Sequence, residues 1–325
     1  MNSPTRWGIL GTGSIARKFA EGLTALPSAQ LVAVGSRSAA TAEAFGAQYK
    51  VPHCHASYEA LARDPEVEAI YISTPHPFHC ENTLLCLGEG KAVLCEKPFA
   101  INSAQTGQMV EAARSRGVFL MEAMWTRYLP VMGWVRQQLP QIGQVRLVSA
   151  DFGFRAGYNR QSRLFAPELG GGALLDVGIY VLSFASMILG PRPVQLTSAA
   201  ALGESGVDEQ TSLLLSYADG AQATLTCAVR TTTPQEARIV GTEGMIQIES
   251  PFWRGTAATL RTGGGQVRAE FPLQGNGYNY EAAEVGRCLR AGEKESSIMP
   301  LEETLAITRL MDQARAQWGL RYPME

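Results

Sequence analysis

In Leu94-Cys95-Glu96-Lys97-Pro98 a lysine follows a short apolar run that reads as a strand. Strand carboxyl ends are where open α/β sheets bind ligands, so Lys97 places a cation at the mouth of a cleft. Pro98 restricts the Lys97 backbone to extended geometry and allows a cis bond, a rigid way to aim that side chain. Near the N-terminus, Gly11-Thr12-Gly13-Ser14-Ile15-Ala16 lies between a strand pattern and a helix pattern. Gly11 permits the tight turn, Gly13 lets the backbone approach a pyrophosphate, and Ala16 is small enough for helix and strand to pack. The amides and positive dipole end of the following helix suit phosphates. Where a carboxylate for a ribose 2'-hydroxyl would stand, the chain has Gly35-Ser36-Arg37-Ser38. Arg37 can pair with a 2'-phosphate and Ser36 can donate to it, which favours NADP over NAD.

Two further groups complete the set. Ser73-Thr74-Pro75-His76-Pro77-Phe78-His79 again follows a strand, which puts Thr74, Pro75 and His76 beside the cofactor and leaves His79 to cap or orient the next helix. All four histidines fall between residues 53 and 79. His76, His79 and Cys80 lack a supporting carboxylate set at metal-ligand spacing, so no metal is expected. Gly170-Gly171-Gly172-Ala173-Leu174-Leu175-Asp176-Val177-Gly178-Ile179-Tyr180 leads into an apolar helix pattern from Ala173 to Leu189, on which Asp176 and Tyr180 share a face. Hydride transfer at a carbinol carbon needs a group that gives or takes the hydroxyl proton. A tyrosine of free pKa about 10 becomes more acidic with an ammonium within roughly 4–6 Å, and Lys97 is the candidate. Gly178, costing about 1 kcal/mol against alanine in a helix interior, implies close approach by a nicotinamide ring or a neighbouring helix.

The elements that position these residues follow a βαβ rhythm over residues 1–122. Strands are predicted at Trp7–Leu10, Leu31–Ser36, Ala69–Ser73, Ala92–Cys95 and Phe119–Met121, with helical segments between them. After Glu122 the rhythm changes. A helix around Val131–Leu139, a strand from Val145 to Phe154 and the Ala173–Leu189 helix precede period-2 strands from Val194 to about Phe271, then helices near 279–291 and 302–317. The expected architecture is an α/β dinucleotide-binding domain over 1–122 and an α+β substrate domain over 123–325 with a mainly antiparallel sheet. With 325 residues, 46% hydrophobic and 18% charged, the chain can core both. A net charge of -2, without basic runs, gives no footprint for nucleic acid or anionic membrane and favours a small-molecule partner. No apolar stretch is expected to reach the roughly 18 residues of a membrane span. No charged and apolar leader pattern opens the chain, which points to the cytoplasm. Six cysteines without CxxC spacing are expected to be reduced and mainly buried.

These motifs together resemble the glucose-fructose oxidoreductase and inositol dehydrogenase (Gfo/Idh/MocA) family. Gly11-x-Gly13-x-x-Ala16, Thr74-Pro75 with His79, Glu96-Lys97-Pro98, Glu122-Ala123-Met124-Trp125-Thr126-Arg127, Gly171 to Tyr180, Asn279-Tyr280-Glu281 and Met299-Pro300-Leu301 carry the likeness over essentially the whole chain. It implies a Rossmann domain followed by an α+β domain whose open sheet forms a subunit interface, giving a homodimer or tetramer. It also implies Lys97 and Tyr180 as the catalytic pair with Asp176 nearby, and brings Glu96, Trp125 and Arg127 into the cofactor set with Gly11, Thr12, Gly13, Ser14 and Ile15. Many relatives have histidine where Tyr180 stands, and no histidine exists in this second domain. Trp125, Phe154 and Trp253 either wall a substrate pocket or pack the domain junction.

Three other classes compete. A short-chain dehydrogenase needs Tyr-x-x-x-Lys, which none of the ten tyrosines provides. A zinc alcohol dehydrogenase needs a Cys/His ligand set that these residues do not supply convincingly. A non-catalytic NADP-binding regulator would keep the glycine turn and Arg37 but has little reason to retain both Lys97 and Tyr180. The sequence is best read as an NADP(H)-dependent oxidoreductase of a secondary alcohol in a sugar, polyol or trans-dihydrodiol.

Overall fold

The structure, a computed structural model, describes residues 3–325. In chain order the elements are β1 (Thr5–Leu10), α1 (Ser14–Leu23), β2 (Ala29–Gly35), α2 (Ala39–Tyr49), β3 (His53–His55), α3 (Tyr58–Ala62), β4 (Ala69–Ile72), α4 (His79–Gly88), β5 (Ala92–Glu96), α5 (Ser103–Arg116) and β6 (Leu120–Ala123). They continue with α6 (Pro130–Gln138), β7 (Val145–Gly153), a π-helical turn (Leu174–Gly178), α7 (Ile179–Leu189), β8 (Gln195–Leu202), β9 (Asp208–Ser216) and β10 (Gln222–Ala228). The last are β11 (Ala237–Gly241), β12 (Gly244–Ile248), β13 (Ala257–Thr262), β14 (Gly265–Glu270), α8 (Tyr278–Ala291) and α9 (Leu301–Trp318).

The chain folds into two compact units that interleave in sequence. One takes the chain up to Ala100, then Ala104–Trp125 and Gln274–Thr304; the other holds Ile101–Ser103, Thr126–Leu273 and Leu305–Glu325. The expected division at 122/123 treats the chain as two consecutive blocks. What it leaves out is α8, whose buried face of Tyr278, Asn279, Glu281, Ala282, Val285 and Cys288 belongs to the first unit.

The first unit holds a parallel sheet in the order β3-β2-β1-β4-β5-β6, the doubly wound arrangement. Its central strands are buried on both faces, so Ala69-Ile70-Tyr71-Ile72 reads as a continuous apolar run rather than an alternation. Phe19 of α1 stacks on Tyr71 with ring centroids 3.8 Å apart, and Trp7 meets Phe19 edge-on. β3 was not expected: His53-Cys54-His55 is three residues long and lacks an apolar pattern.

The second unit has an eight-stranded sheet, β14-β13-β12-β11-β7-β10-β9-β8, antiparallel except for the β7–β10 pair. One face is apolar and covered, with Val148, Ala150, Leu213, Leu215, Ala223, Leu225, Ile239 and Ile246 all buried. The other face is open and carries exposed Leu147 and Leu214. The Gly263-Gly264 turn joins β13 to β14.

Two details depart from expectation. The Ala173–Leu189 helix begins as a π turn before continuing as α7. The helical segment Pro167–Leu189 is also long and apolar enough to cross a membrane, with mean hydropathy 1.9, although no such stretch was expected. Of that window 83% is buried, which marks it as a core helix rather than a lipid-facing one.

Candidate active site

The glycine turn of the first unit has the form an anion cradle requires. Gly11 sits at φ +104°, and a Cβ there would stand 2.8 Å from Ser73 Oγ, so glycine is demanded by both backbone and space. A Cβ on Gly13 would meet nothing within 4 Å, which leaves open volume above the turn. α1 begins without a side-chain cap and without an acidic residue in its first turn, so its leading amides keep their capacity for an anion. Ala16 is fully buried, as helix–strand packing needs.

At the end of β2, Ser36 is buried with its hydroxyl 2.5 Å from Thr41 Oγ1, and Arg37 is exposed beside Tyr58. Burial raises the Tyr58 hydroxyl above its ordinary value, with Arg37 pulling the other way. No carboxylate occupies Ser36 to Ser38.

After β4 and β5 the chain is pinned by His79, which is fully buried. Its Nδ1 lies 2.9 Å from Pro98 O and its Nε2 lies 2.8 Å from Thr74 O. One ring thus ties the Thr74-Pro75 loop to the Lys97-Pro98 step, a different task from the capping or orienting of the next helix expected of it. Burial pulls its pKa below the ordinary value, and the carbonyl contacts act in the opposite direction. Asn82 Nδ2 adds a bond to Thr74 Oγ1 at 3.2 Å, and His76 is buried with its ring 5.8 Å from that of His79. The Lys97–Pro98 bond is cis, and Lys97 is half-buried. Glu96 is buried; its Oε2 accepts the Lys97 N–H at 3.0 Å and its Oε1 accepts the Tyr71 hydroxyl. Beside it Glu281 of α8 is wholly buried, and burial followed by the Glu96 charge lifts its carboxyl well above the usual range.

In the second unit Tyr180 lies on the first turn of α7, 7% exposed, and meets Phe152 edge-on with centroids 5.2 Å apart. Phe152 stacks on Trp253 at 4.9 Å, and Trp253 is held by Gln235 through its Nε1. Phe154, one of the three aromatics expected either to wall a substrate pocket or to pack the domain junction, has its ring 6.4 Å from that of Phe152. The strand alternation of β7 puts Phe152 toward Tyr180, and sequence reading missed it. Asp176 is buried and accepts from Arg163 Nη1 at 2.7 Å, a pairing no helix-face argument could reveal because Arg163 lies in the preceding loop.

Asp208 is the other residue the sequence did not announce. It is fully buried at the start of β9, and its Oδ2 accepts the Leu174 N–H at 2.7 Å and the Thr211 hydroxyl at 2.8 Å. It therefore caps the π turn that carries Asp176. Gly172, at φ +121°, gives room for this carboxylate, since a Cβ there would collide with Asp208 Oδ1. Gly178 has a similar packing reason: a Cβ would come 2.9 Å from Cys227 Sγ of β10. The close neighbour that the protein itself supplies at Gly178 is thus a side chain of strand β10.

Two expected cofactor residues have other partners. Trp125, 3% exposed, stacks on Tyr278 with centroids 4.8 Å apart. Arg127 is buried and donates from Nε and Nη2 to Ser183 Oγ and O, fixing α7.

The family description "Oxidoreductase family, NAD-binding Rossmann fold" matches residues 5–124, and "GFO/IDH/MocA C-terminal domain" matches residues 138–247. The chain belongs to the Gfo/Idh/MocA family. Among its Gfo/Idh/MocA relatives, trans-1,2-dihydrobenzene-1,2-diol dehydrogenase from Mus musculus is 41% identical over 98% of both chains. An aldose-aldose oxidoreductase from Caulobacter crescentus, crystallised with glycerol, superposes with a TM-score of 0.88 at 25% identity over 98% of each chain. A 3-ketoreductase from Actinomadura kijaniata, in complex with NADP and TDP-benzene, has a TM-score of 0.84 at 25% identity over 97% of this chain and 98% of that one. This Gfo/Idh/MocA protein is an NAD(P)-binding oxidoreductase acting on CH–OH groups.

Proposed function

We propose that the protein is an NADP(H)-dependent dehydrogenase that moves hydride to or from a secondary alcohol carbon of a sugar, polyol or trans-dihydrodiol, with Tyr180 as acid/base assisted by Lys97. The observation that carries this reading is identity of 41% over 98% of both chains to a dihydrodiol dehydrogenase, in a chain that has the glycine turn, Lys97 and Tyr180. When bound, the nicotinamide supplies the hydride acceptor or donor.

The chain's own residues supply the rest. The open space at Gly13 and the uncapped α1 amides fit a pyrophosphate, and Ser36 with Arg37 fits a 2'-phosphate. Thr74, Pro75 and His76 form the loop beside the cofactor, with His79 holding it. Tyr180 takes the substrate hydroxyl proton on oxidation and returns it on reduction, and the Lys97 ammonium favours its phenolate. Asp176, held by Arg163, accepts from a substrate hydroxyl, with Phe152 and Trp253 as apolar wall.

Exposed Leu147 and Leu214 on the open sheet face support a homodimer or tetramer built on that face. The deciding assay follows reduced nicotinamide absorbance with NADP and with NAD across D-xylose and other aldoses, polyols and trans-dihydrodiols. Turnover favouring NADP is expected; cofactor binding without turnover on any of these would overturn the reading in favour of a regulator.

A further inference from the structure

At the edge of the parallel sheet, β3 presents His53 and His55 on one face, two residues apart. Cys54 points the other way, where its thiol fills the space that a Cβ on Gly46 of α2 would need. Asp64, just beyond α3, brings its carboxylate to the two rings. His53 Nδ1 and His55 Nε2 lie 2.6 and 2.8 Å from the same atom, Asp64 Oδ2. The three ligand atoms are all within 4.8 Å of one another.

We infer that His53, His55 and Asp64 form a binding site for a divalent cation of the zinc class. Two imidazoles and a carboxylate are the donor set that zinc, cobalt and nickel prefer. Asp64 is 3% exposed at its side chain, and its Oδ1 accepts the Glu66 N–H at 2.9 Å. That outer bond leaves Oδ2 turned toward the rings, the orienting arrangement that supports metal ligands. The rings are 39% and 23% exposed, so a fourth position opens to water. The nearby Lys91 ammonium is anchored on the carbonyls of Asp64 and Val67, at 2.6 and 2.8 Å, and not on the carboxylate.

Donors around tetrahedral zinc stand about 3.3 Å apart, so rings and carboxylate need to part by only roughly 0.5–0.7 Å. Each ring would bind neutral, with its proton on the outward nitrogen, and no covalent bond changes.

The test is titration of the chelator-stripped full-length protein with zinc by calorimetry and with cobalt(II) followed by its visible absorption. One equivalent with tetrahedral cobalt bands is expected. His53→Ala, at a half-exposed position that leaves the fold intact by circular dichroism, should weaken zinc by at least the 10–100-fold that even outer-shell changes cost. Asp64→Asn is the second variant, with the same loss expected. No saturable zinc binding by the parent chain, or equal affinity in His53→Ala, would overturn the site.

Discussion

At the scale of single residues, candidates were legible where spacing marks a side chain and illegible where its task is set by a partner. Tyr180 and Lys97 stood out in the sequence because strand ends and helix faces are periodic. Asp208 did not, because its task is to accept two hydrogen bonds inside a core that only the fold assembles. Tyr180→Phe is expected to lose on the order of 10²–10⁴-fold in kcat while NADPH fluorescence titration stays unchanged; full activity would remove the acid/base role. Arg37→Asp should weaken NADP by about tenfold to a hundredfold, the ~1.5–3 kcal/mol of a charge-assisted hydrogen bond, and hardly touch NAD. Equal losses for both cofactors would refute the 2'-phosphate contact. Burial lifts the Asp208 carboxyl from 3.8 to about 7, against the hydrogen bonds from Thr211 and Leu174. Between those values the native chain keeps a proton that the unfolded chain has released, so this group makes stability fall as pH rises from about 4 to 7. The upper bound is about 4 kcal/mol for a shift of roughly three units. Asp208→Asn stays neutral and should melt above the parent at pH 8, with a gap that narrows toward pH 4; a constant gap would contradict the shift.

At the scale of elements, strands and helices long enough to show a period were readable, including β7, the β8–β14 run and the two closing helices. Short or irregular elements were not. β3 has too few residues to alternate visibly, and the π turn at Leu174–Gly178 runs straight into α7, so that the two read in sequence as one helix. What sets the turn lies outside it, in the Asp208 carboxylate that takes the Leu174 amide and in the Gly172 backbone that makes room. Gly172→Ala should therefore cost more than an ordinary glycine change. Positive φ strain of about 1–3 kcal/mol adds to overpacking of similar size, and the urea midpoint should drop by a corresponding amount with an unchanged slope. A midpoint within error of the parent would show that the turn tolerates a Cβ.

At the scale of the whole molecule, composition and rhythm predicted two cored parts but not their bookkeeping along the chain. The contacts that assign Gln274–Thr304 to the first unit are distant in sequence: Asn276 Nδ2 bonds Lys18 O at 2.7 Å, and the Leu120 N–H donates to Lys294 O at 3.1 Å. If the open sheet face carries self-association, Leu214→Arg should shift the light-scattering mass toward the monomer without changing the circular dichroism spectrum; an unchanged mass would move the interface elsewhere. The chain passes from unit to unit at 100/101, 103/104, 125/126, 273/274 and 304/305. Ribosomes deliver residues in one direction, so the nucleotide-binding unit, begun first, stays without its last helix until nearly the end of translation. Its parallel sheet must wait for α8 through the synthesis of some 150 residues that belong to the other unit. A nascent chain arrested shortly before Gln274 would expose the apolar face that α8 covers, and that interval is when chaperones have the most to shield.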